Sequence, residues 1–331
     1  MADNFSIKIV VTAPGWKSNI ENIVSKEFDD VEFVICENKD QCIEEIRDAD
    51  AALLGLWDSE ILASAKKLKW VHSSMGGVTG LLFPEFKASS LVFTCGKPIF
   101  SIPASDTAFL AMFMFSRKFH YSINASPEDE GFFDGFDHIY APEDLSSKTV
   151  GIIGMGEMGK EVSKNAKAFG MKVFGIARTA RTTAPEYVDQ MFSPDQMSQL
   201  LGMSDYVVVA IPDTVQNYRM INETIFRCMK DSAYLIDCSG RAMIYDWLAM
   251  EKAINEKWIS GICLQPSGNL PDIGMPSPDS PFWMLDNVVM TPCRGTSVQA
   301  AHASLQLYIE NIRRFKNGEP LKGLVDKQAG Y

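Results

Sequence analysis

Three glycines, Gly154, Gly156 and Gly159, stand in G-x-G-x-x-G spacing directly after the short apolar run Val150 to Ile153. The residues that follow fall into a helical pattern, with Met158, Val162, Ala166 and Phe169 on one face and Gly170 as the stop. A second apolar run, Val173 to Ile176, closes the unit. The three glycines differ in what they make possible. Gly154 permits a tight turn, Gly156 lets backbone approach a pyrophosphate, and Gly159 lets helix and strand pack closely. The helix N-terminus adds unpaired N–H groups and the positive end of a dipole for an anion. The glycine triplet alone is weak evidence. Strand, glycines, helix and strand in this order predict a dinucleotide site.

The end of the second strand predicts which dinucleotide. An NAD site places Asp or Glu there to accept from the ribose 2′-OH. Here the position holds Ala177, followed by Arg178, Thr179 and Arg181. No carboxylate opposes a 2′-phosphate, and two guanidiniums with a hydroxyl can hold one by charge-assisted hydrogen bonds. The same arginines also suit a plain exposed loop. With the acidic residue missing, the pattern favours NADP.

The elements that position this site extend on both sides of it. Ile7–Thr12, Val31–Cys36, Ala51–Gly55 and Trp70–Ser73 read as strands, and Trp16–Ser25, Gln41–Asp48 and Ser59–Lys66 as helices between them. That alternation predicts a parallel sheet with helices on both faces. Pro103 sits near the start of a long apolar helix, Ala104 to about Phe119, and residues 121–147 read as loop and short helix. After the fingerprint come strands at Tyr206–Ala210, Ala233–Asp237, Ile259–Leu264 and Val288–Thr291. The last helix runs from Val298 to about Lys316, with Leu305, Tyr308, Ile309 and Ile312 on one face.

Composition narrows the setting. A chain of 331 residues suits two domains, and 46% hydrophobic with 22% charged residues is that of a globular protein. With 31 basic against 42 acidic residues, the net charge of −11 argues against nucleic acid and anionic membranes as partners. The opening MADNFSIKIVV does not read as a signal peptide, and Phe109 to Phe115 is too short to span a bilayer. Seven cysteines without a C-x-x-C pair suggest reduced thiols in the cytoplasm. His72, His120, His138 and His302 lack ligand spacing, so no metal is expected.

Together the landmarks resemble the D-isomer-specific 2-hydroxyacid dehydrogenase family, closest in flavour to its NADPH-dependent glyoxylate/hydroxypyruvate reductases. The matching stretches are Leu68 to Val78, Ile102 to Asp106, the glycine fingerprint, Ser204-Asp205 with Ile211 to Thr214, Met229 to Ser239, and Asn287 to Pro292. The resemblance implies two Rossmann-like lobes: a flavodoxin-like substrate domain from residues 1–100 plus 296–331, and an inserted NADP-binding domain at 101–295, with the active site in the cleft. It implies that Ser74, Gly76, Gly77 and Val78 belong to the loop holding a substrate carboxylate, and a glycine pair suits that role. Glu157 and Met158 would lie beside the pyrophosphate; Ile211, Pro212, Thr214 and Thr107 would contact the cofactor; Cys238 and Ser239 would flank the nicotinamide. The helix from Ala104 would make a twofold homodimer contact.

The chain departs from that family where proton chemistry is done. The last matching strand normally ends Thr-Pro-His, and here it ends Thr291-Pro292-Cys293, followed by Arg294. The position of the Glu that supports the His holds Leu270, before Pro271. The family's Arg falls on Gly240 when counted from Met229, and on Arg241 when counted back from the next helix. A thiol near pKa ~8.5 does not replace an imidazole, although Arg294 nearby could lower that pKa and make Cys293 a thiolate, poorer as a proton donor; otherwise Cys293 fills space as a small hydrophobe. His302 reads as structural. Two functions therefore stand. One is an NADP(H)-dependent oxidoreductase for a small carbonyl or related acidic substrate, with Arg241 or Arg294 on the acid group and Cys293, Gln265 or water handling protons. The other is a catalytically silent NADP(H)-binding protein.

Overall fold

The computed structural model describes residues 6–97, 99–123, 126, 128, 141–178, 184–240, 242–265, 275–291 and 296–331. The chain divides into one compact unit of Met1–Ile99 with Ser297–Tyr331 and another of Phe100–Thr296.

In the first unit, strands β1 (Ile7–Val11), β2 (Val31–Ile35), β3 (Ala51–Leu53), β4 (Trp70–Ser73) and β5 (Val92–Cys95) alternate with helices α1 (Lys17–Asn22), α2 (Lys39–Glu45), α3 (Ser59–Ser64) and α4 (Pro84–Ala88). All pairings are parallel, in the order β2-β1-β3-β4-β5. This is the flavodoxin-like order of a doubly wound sheet. Successive β1 side chains serve opposite faces: Ile9 and Val11 enter the core shared with the C-terminal helix, while Val10 enters the core under α2 to α4. Asn38 and Asp58 cap α2 and α3, accepting from Gln41 N–H and from Glu60 and Ile61 N–H.

The second unit opens with α5 (Ser101–Ser116) and α6 (Phe119–Ser122). Its strands are β6 (Thr149–Ile153), β7 (Lys172–Ile176), β8 (Gln190–Phe192), β9 (Tyr206–Val209), β10 (Tyr234–Asp237), β11 (Gly261–Leu264) and β12 (Val288–Met290). Between them run α7 (Glu157–Ala168), α8 (Met197–Met203), α9 (Glu223–Cys228) and α10 (Trp247–Asn255). The order is β12-β11-β10-β9-β6-β7-β8, again all parallel. The chain switches sides between β6 and β9, and dinucleotides bind outside the strand ends at such a point. The chain then returns to the first unit as α11 (Val298–Asn317), which buries Leu305, Tyr308, Ile309 and Ile312. The α/β class is the one the alternation predicts.

Several boundaries differ from the sequence reading. The expected helix at 16–25 is broken at Ile23 (φ −125°), and only Lys17–Asn22 is α-helical. The long apolar helix starts at Ser101 and ends at Ser116, because Lys118 turns left-handed at φ 56°. Phe169 lies past the end of α7 and is 45% exposed rather than buried with Val162 and Ala166. β5 and β8 were not anticipated.

His72 on β4 is fully buried. Its Nδ1 lies 2.8 Å from Thr94 Oγ1, which also accepts from Trp70 Nε1, and its ring stacks on Tyr308. The Nε2 is buried without a hydrogen-bond partner. Burial pushes the pKa from 6.5 down to about 3, so the folded imidazole stays neutral. Between those values the unfolded chain binds the proton and the folded chain does not. The stability that neutral His72 permits is therefore complete above pH 6.5 and is lost as pH falls toward 3. The expected slope is up to about 1.4 kcal/mol per pH unit from this group. Urea midpoints measured from pH 7.5 to 5 should fall less steeply in His72→Phe than in the parent; equal slopes would contradict the assignment.

Candidate functional site

The fingerprint loop is shaped by contact distances rather than by preference. Gly154, just past β6, has φ +106°, and a Cβ there would lie 2.4 Å from the Ala210 carbonyl oxygen. A Cβ on Gly159, in the first turns of α7, would lie 2.1 Å from the Gly154 carbonyl oxygen. Neither position admits a side chain. Gly156 is different, because a Cβ there would meet nothing within 4 Å, and its φ of −77° suits any residue. Among the described residues nothing crowds that position, and a ligand lying against the backbone would fill it.

The α7 N-terminus fits the same occupant. No side chain caps α7 at Gly156, as none caps α5 or α8, whereas Asn222, Asp246 and Ser297 cap the helices that follow them. Its first-turn N–H groups face the loop with the dipole's positive end. Glu157 is exposed and ion-paired to Lys160 at 2.7 Å, while Met158 packs partly into the core. At the end of β7, Ala177 is half-buried and Arg178 exposed, with no carboxylate at either position. These residues fit a dinucleotide with a 2′-phosphate. Gly154, Gly156, Gly159 and the α7 N-terminus would hold the pyrophosphate, and Arg178 the 2′-phosphate.

The remaining expected cofactor residues line up along the strand ends of the same unit. Ile211 and Pro212 are half-buried after β9, Thr214 is buried, and the Pro212 carbonyl accepts from Asn217. Thr107 is buried in α5, donating to the Pro103 carbonyl at 2.9 Å. Cys238 is buried, with its thiol 3.5 Å from the Ala104 carbonyl; burial and then the Asp237 charge push its pKa well up. In the other unit, Val78 is a core residue and Ser74 gives its carbonyl to Ser304 Oγ. Gly76 and Gly77 do not use the left-handed freedom of glycine. Arg241, Cys293, Arg294, Thr179, Arg181 and Leu270 lie outside the described residues. His302 is exposed on α11. Gly240 takes φ +63°, so the position that one count assigns to an arginine is left-handed backbone suited to glycine.

A polar cluster at the end of β10 escaped the sequence reading. Asp237 is 1% exposed. Its Oδ1 accepts from Ser239 N–H at 2.8 Å, Ser239 Oγ at 2.6 Å and Gly240 N–H at 3.2 Å. Its Oδ2 faces Gln265 N–H at 3.4 Å, and Gln265 Nε2 donates to the Asp237 carbonyl at 2.9 Å. The Tyr245 hydroxyl is buried against Asp237 and Ser239 without a well-aligned hydrogen bond. Burial raises the Asp237 pKa, against the hydrogen bonds that favour the carboxylate. The available signal was an acid ending an otherwise apolar strand, Tyr234-Leu235-Ile236-Asp237.

Comparison with known proteins agrees with this geometry. The pattern described as D-isomer specific 2-hydroxyacid dehydrogenase, NAD binding domain, matches residues 109–295. A glyoxylate reductase of Thermococcus gammatolerans is 29% identical over 294 residues, 87% of this chain and 86% of that one. The NADPH-dependent glyoxylate/hydroxypyruvate reductase of Sinorhizobium meliloti, solved with NADP and sulfate, superposes with a TM-score of 0.82 at 22% identity, over 98% of this chain and 100% of that one. A D-isomer specific 2-hydroxyacid dehydrogenase of Xanthobacter autotrophicus, solved with NADPH and MES, gives 0.78 at 23% identity, over 98% and 100%. The matched pattern spans more than half of the chain and contains both the glycine loop and the β10 cluster. The chain therefore belongs to the D-isomer specific 2-hydroxyacid dehydrogenase family, NAD(P)-dependent oxidoreductases acting on CH–OH/C=O substrates.

Proposed function

We propose that this chain is an NADP(H)-dependent oxidoreductase that reduces a small carbonyl or related acidic substrate, with an active site that lacks the family's usual His and Glu. The carrying observation is the glycine cradle beside a β7 end that bears Ala177 and Arg178 instead of an acid. The names of its relatives, and the NADP or NADPH bound in similar folds, support the same reading. In it, residues 101–295 hold the cofactor, and Ser74, Gly76, Gly77 and Val78 with Arg294 bind the substrate's acid group. Arg241 and Cys293, both outside the described residues, complete the catalytic set. The six described cysteines are all free, which suits a cytoplasmic setting.

The partner we propose is a second copy of the chain, seated on α5. Ile102, Leu110 and Phe113 of that helix, together with Phe169, are 59%, 54%, 39% and 45% exposed. A hollow of about 370 Å³ lies among Phe109, Leu110, Phe113 and Phe169, with Asp106 and Asn165 at its polar edge. Contiguous exposed apolar surface of this kind marks an interface.

Cofactor choice tests the first proposal. NADPH should bind more tightly than NADH, and Ala177→Asp with Arg178→Ala should reverse the order. Charged hydrogen bonds contribute about 1.5–3 kcal/mol each, so the preference should exceed roughly tenfold. Equal affinities in the parent would contradict it. NADPH oxidation measured against a panel of 2-keto acids and aldehydes then separates an enzyme from a protein that binds NADPH and turns over nothing.

Light scattering at micromolar concentration tests the second. The parent should be a dimer and Leu110→Glu with Phe113→Glu a monomer. A monomeric parent would refute the interface.

A further inference from the structure

The doubly wound sheet divides its ligand at the switch point between β6 and β9. With the 2′-phosphate end placed at β7, the reactive ring falls on the β9, β10 and β11 side. Ser239 is the half-exposed residue just beyond the end of β10, and its hydroxyl lies 2.6 Å from buried Asp237 Oδ1. We propose that Ser239 and Asp237 form the proton relay of the reduction, in place of an imidazole at the position where this chain has Cys293. This rests on the NADP(H)-reductase reading.

In the relay, the substrate carbonyl carbon gains a hydride, its C=O π bond opens, and the oxygen takes the hydrogen of Ser239 Oγ. Asp237, protonated on Oδ1 with the Ser239 Oγ hydrogen bond reversed, passes its proton to Ser239 and becomes the carboxylate that accepts from Ser239 Oγ. It regains a proton from water through the half-exposed Ser239. The hydride is what a reduced nicotinamide supplies, being oxidised in the exchange. In the oxidising direction the same groups take the proton away, with Asp237 as the base. Asp237 suits both directions because burial favours its neutral form while three donors on Oδ1 favour its charged form. Among the described residues, the titratable groups that face it are the Tyr245 hydroxyl and the Cys238 and Cys263 thiols, all pushed upward by burial and neutral through the working range. Ser239 is then the catalytic residue and Asp237 the positioning and proton-holding one.

Asp237→Asn separates this role from a structural one, since the amide oxygen still accepts from the Ser239 and Gly240 N–H groups but cannot take up a proton. In Asp237→Asn and Ser239→Ala, kcat should fall about 10²-fold or more, with the thermal midpoint near that of the parent and, in Asp237→Asn, the KM for NADPH as well. Ser239→Thr should restore turnover, and the acid limb of the kcat–pH profile should vanish in Asp237→Asn. Infrared difference titration of parent against Asp237→Asn provides a readout without turnover. It should show a carboxyl that titrates above the ordinary aspartate range in the parent alone. Parental kcat and pH profile in Asp237→Asn, or no such carboxyl, would overturn the relay. If the parent binds NADPH but reduces nothing, the reductase reading fails, and the infrared titration alone decides whether Asp237 holds a proton.

Discussion

The closest approach in the nucleotide unit, that of helix α7 to the end of β6, sets where everything else lies. Gly159 passes so near the Gly154 carbonyl that a single methyl group would sit 2.1 Å from its oxygen, and Gly154 is held as tightly against Ala210 at the end of β9. Two glycines thus lock helix, turn and neighbouring strand into one geometry. That geometry directs the uncapped α7 N-terminus at the space over Gly156 and leaves it open. The switch point between β6 and β9 then places the β7 end on one side of this space and the β10 end on the other. Arg178 and the Asp237 cluster owe their opposite positions to that arrangement.

The two ends differ in how they carry charge. Arg178 is exposed, where solvent and salt screen its interactions. Asp237 is buried, where a charge is costly unless hydrogen bonds compensate it. Ser239 and Gly240 supply that compensation from a turn in which Gly240 takes left-handed backbone. The glycine that displaces an expected arginine from one count of the sequence is thus part of what holds the buried carboxyl. The end of β10 thus offers a buried acid with a hydroxyl against it.

Much of the fold was legible because it rests on local periodicity. The β6-α7-β7 pattern, the alternation of the first unit and the apolar face of α11 all follow from spacing of two or about 3.6 residues. What escaped depends on the tertiary setting. β8 is three residues long and begins with Gln190, leaving almost no pattern to read. Lys118 ends α5 by a left-handed turn that no helix breaker announces. Phe169 keeps helical phase in the sequence but lies one residue past the helix. The Asp237 cluster joins β10 to Gln265, 28 residues on, through strands that are neighbours only in the folded sheet. The glycine site could be read as a ligand site from its motif, yet only the structure distinguishes Gly156, which the fold does not need, from Gly154 and Gly159, which it does.

That distinction gives the most direct test of the central claim, that the second unit is built to hold NADP(H) at the glycine loop. The measurement is a fluorescence titration with NADPH of the parent and Gly156→Val, paired with thermal midpoints of both. Because an added Cβ at Gly156 meets nothing within 4 Å, the branched side chain starts from open space and the midpoints should agree, while affinity should fall on the order of tenfold or more as the side chain fills the ligand's place. Undiminished binding in Gly156→Val, or no binding by the parent, would contradict the account.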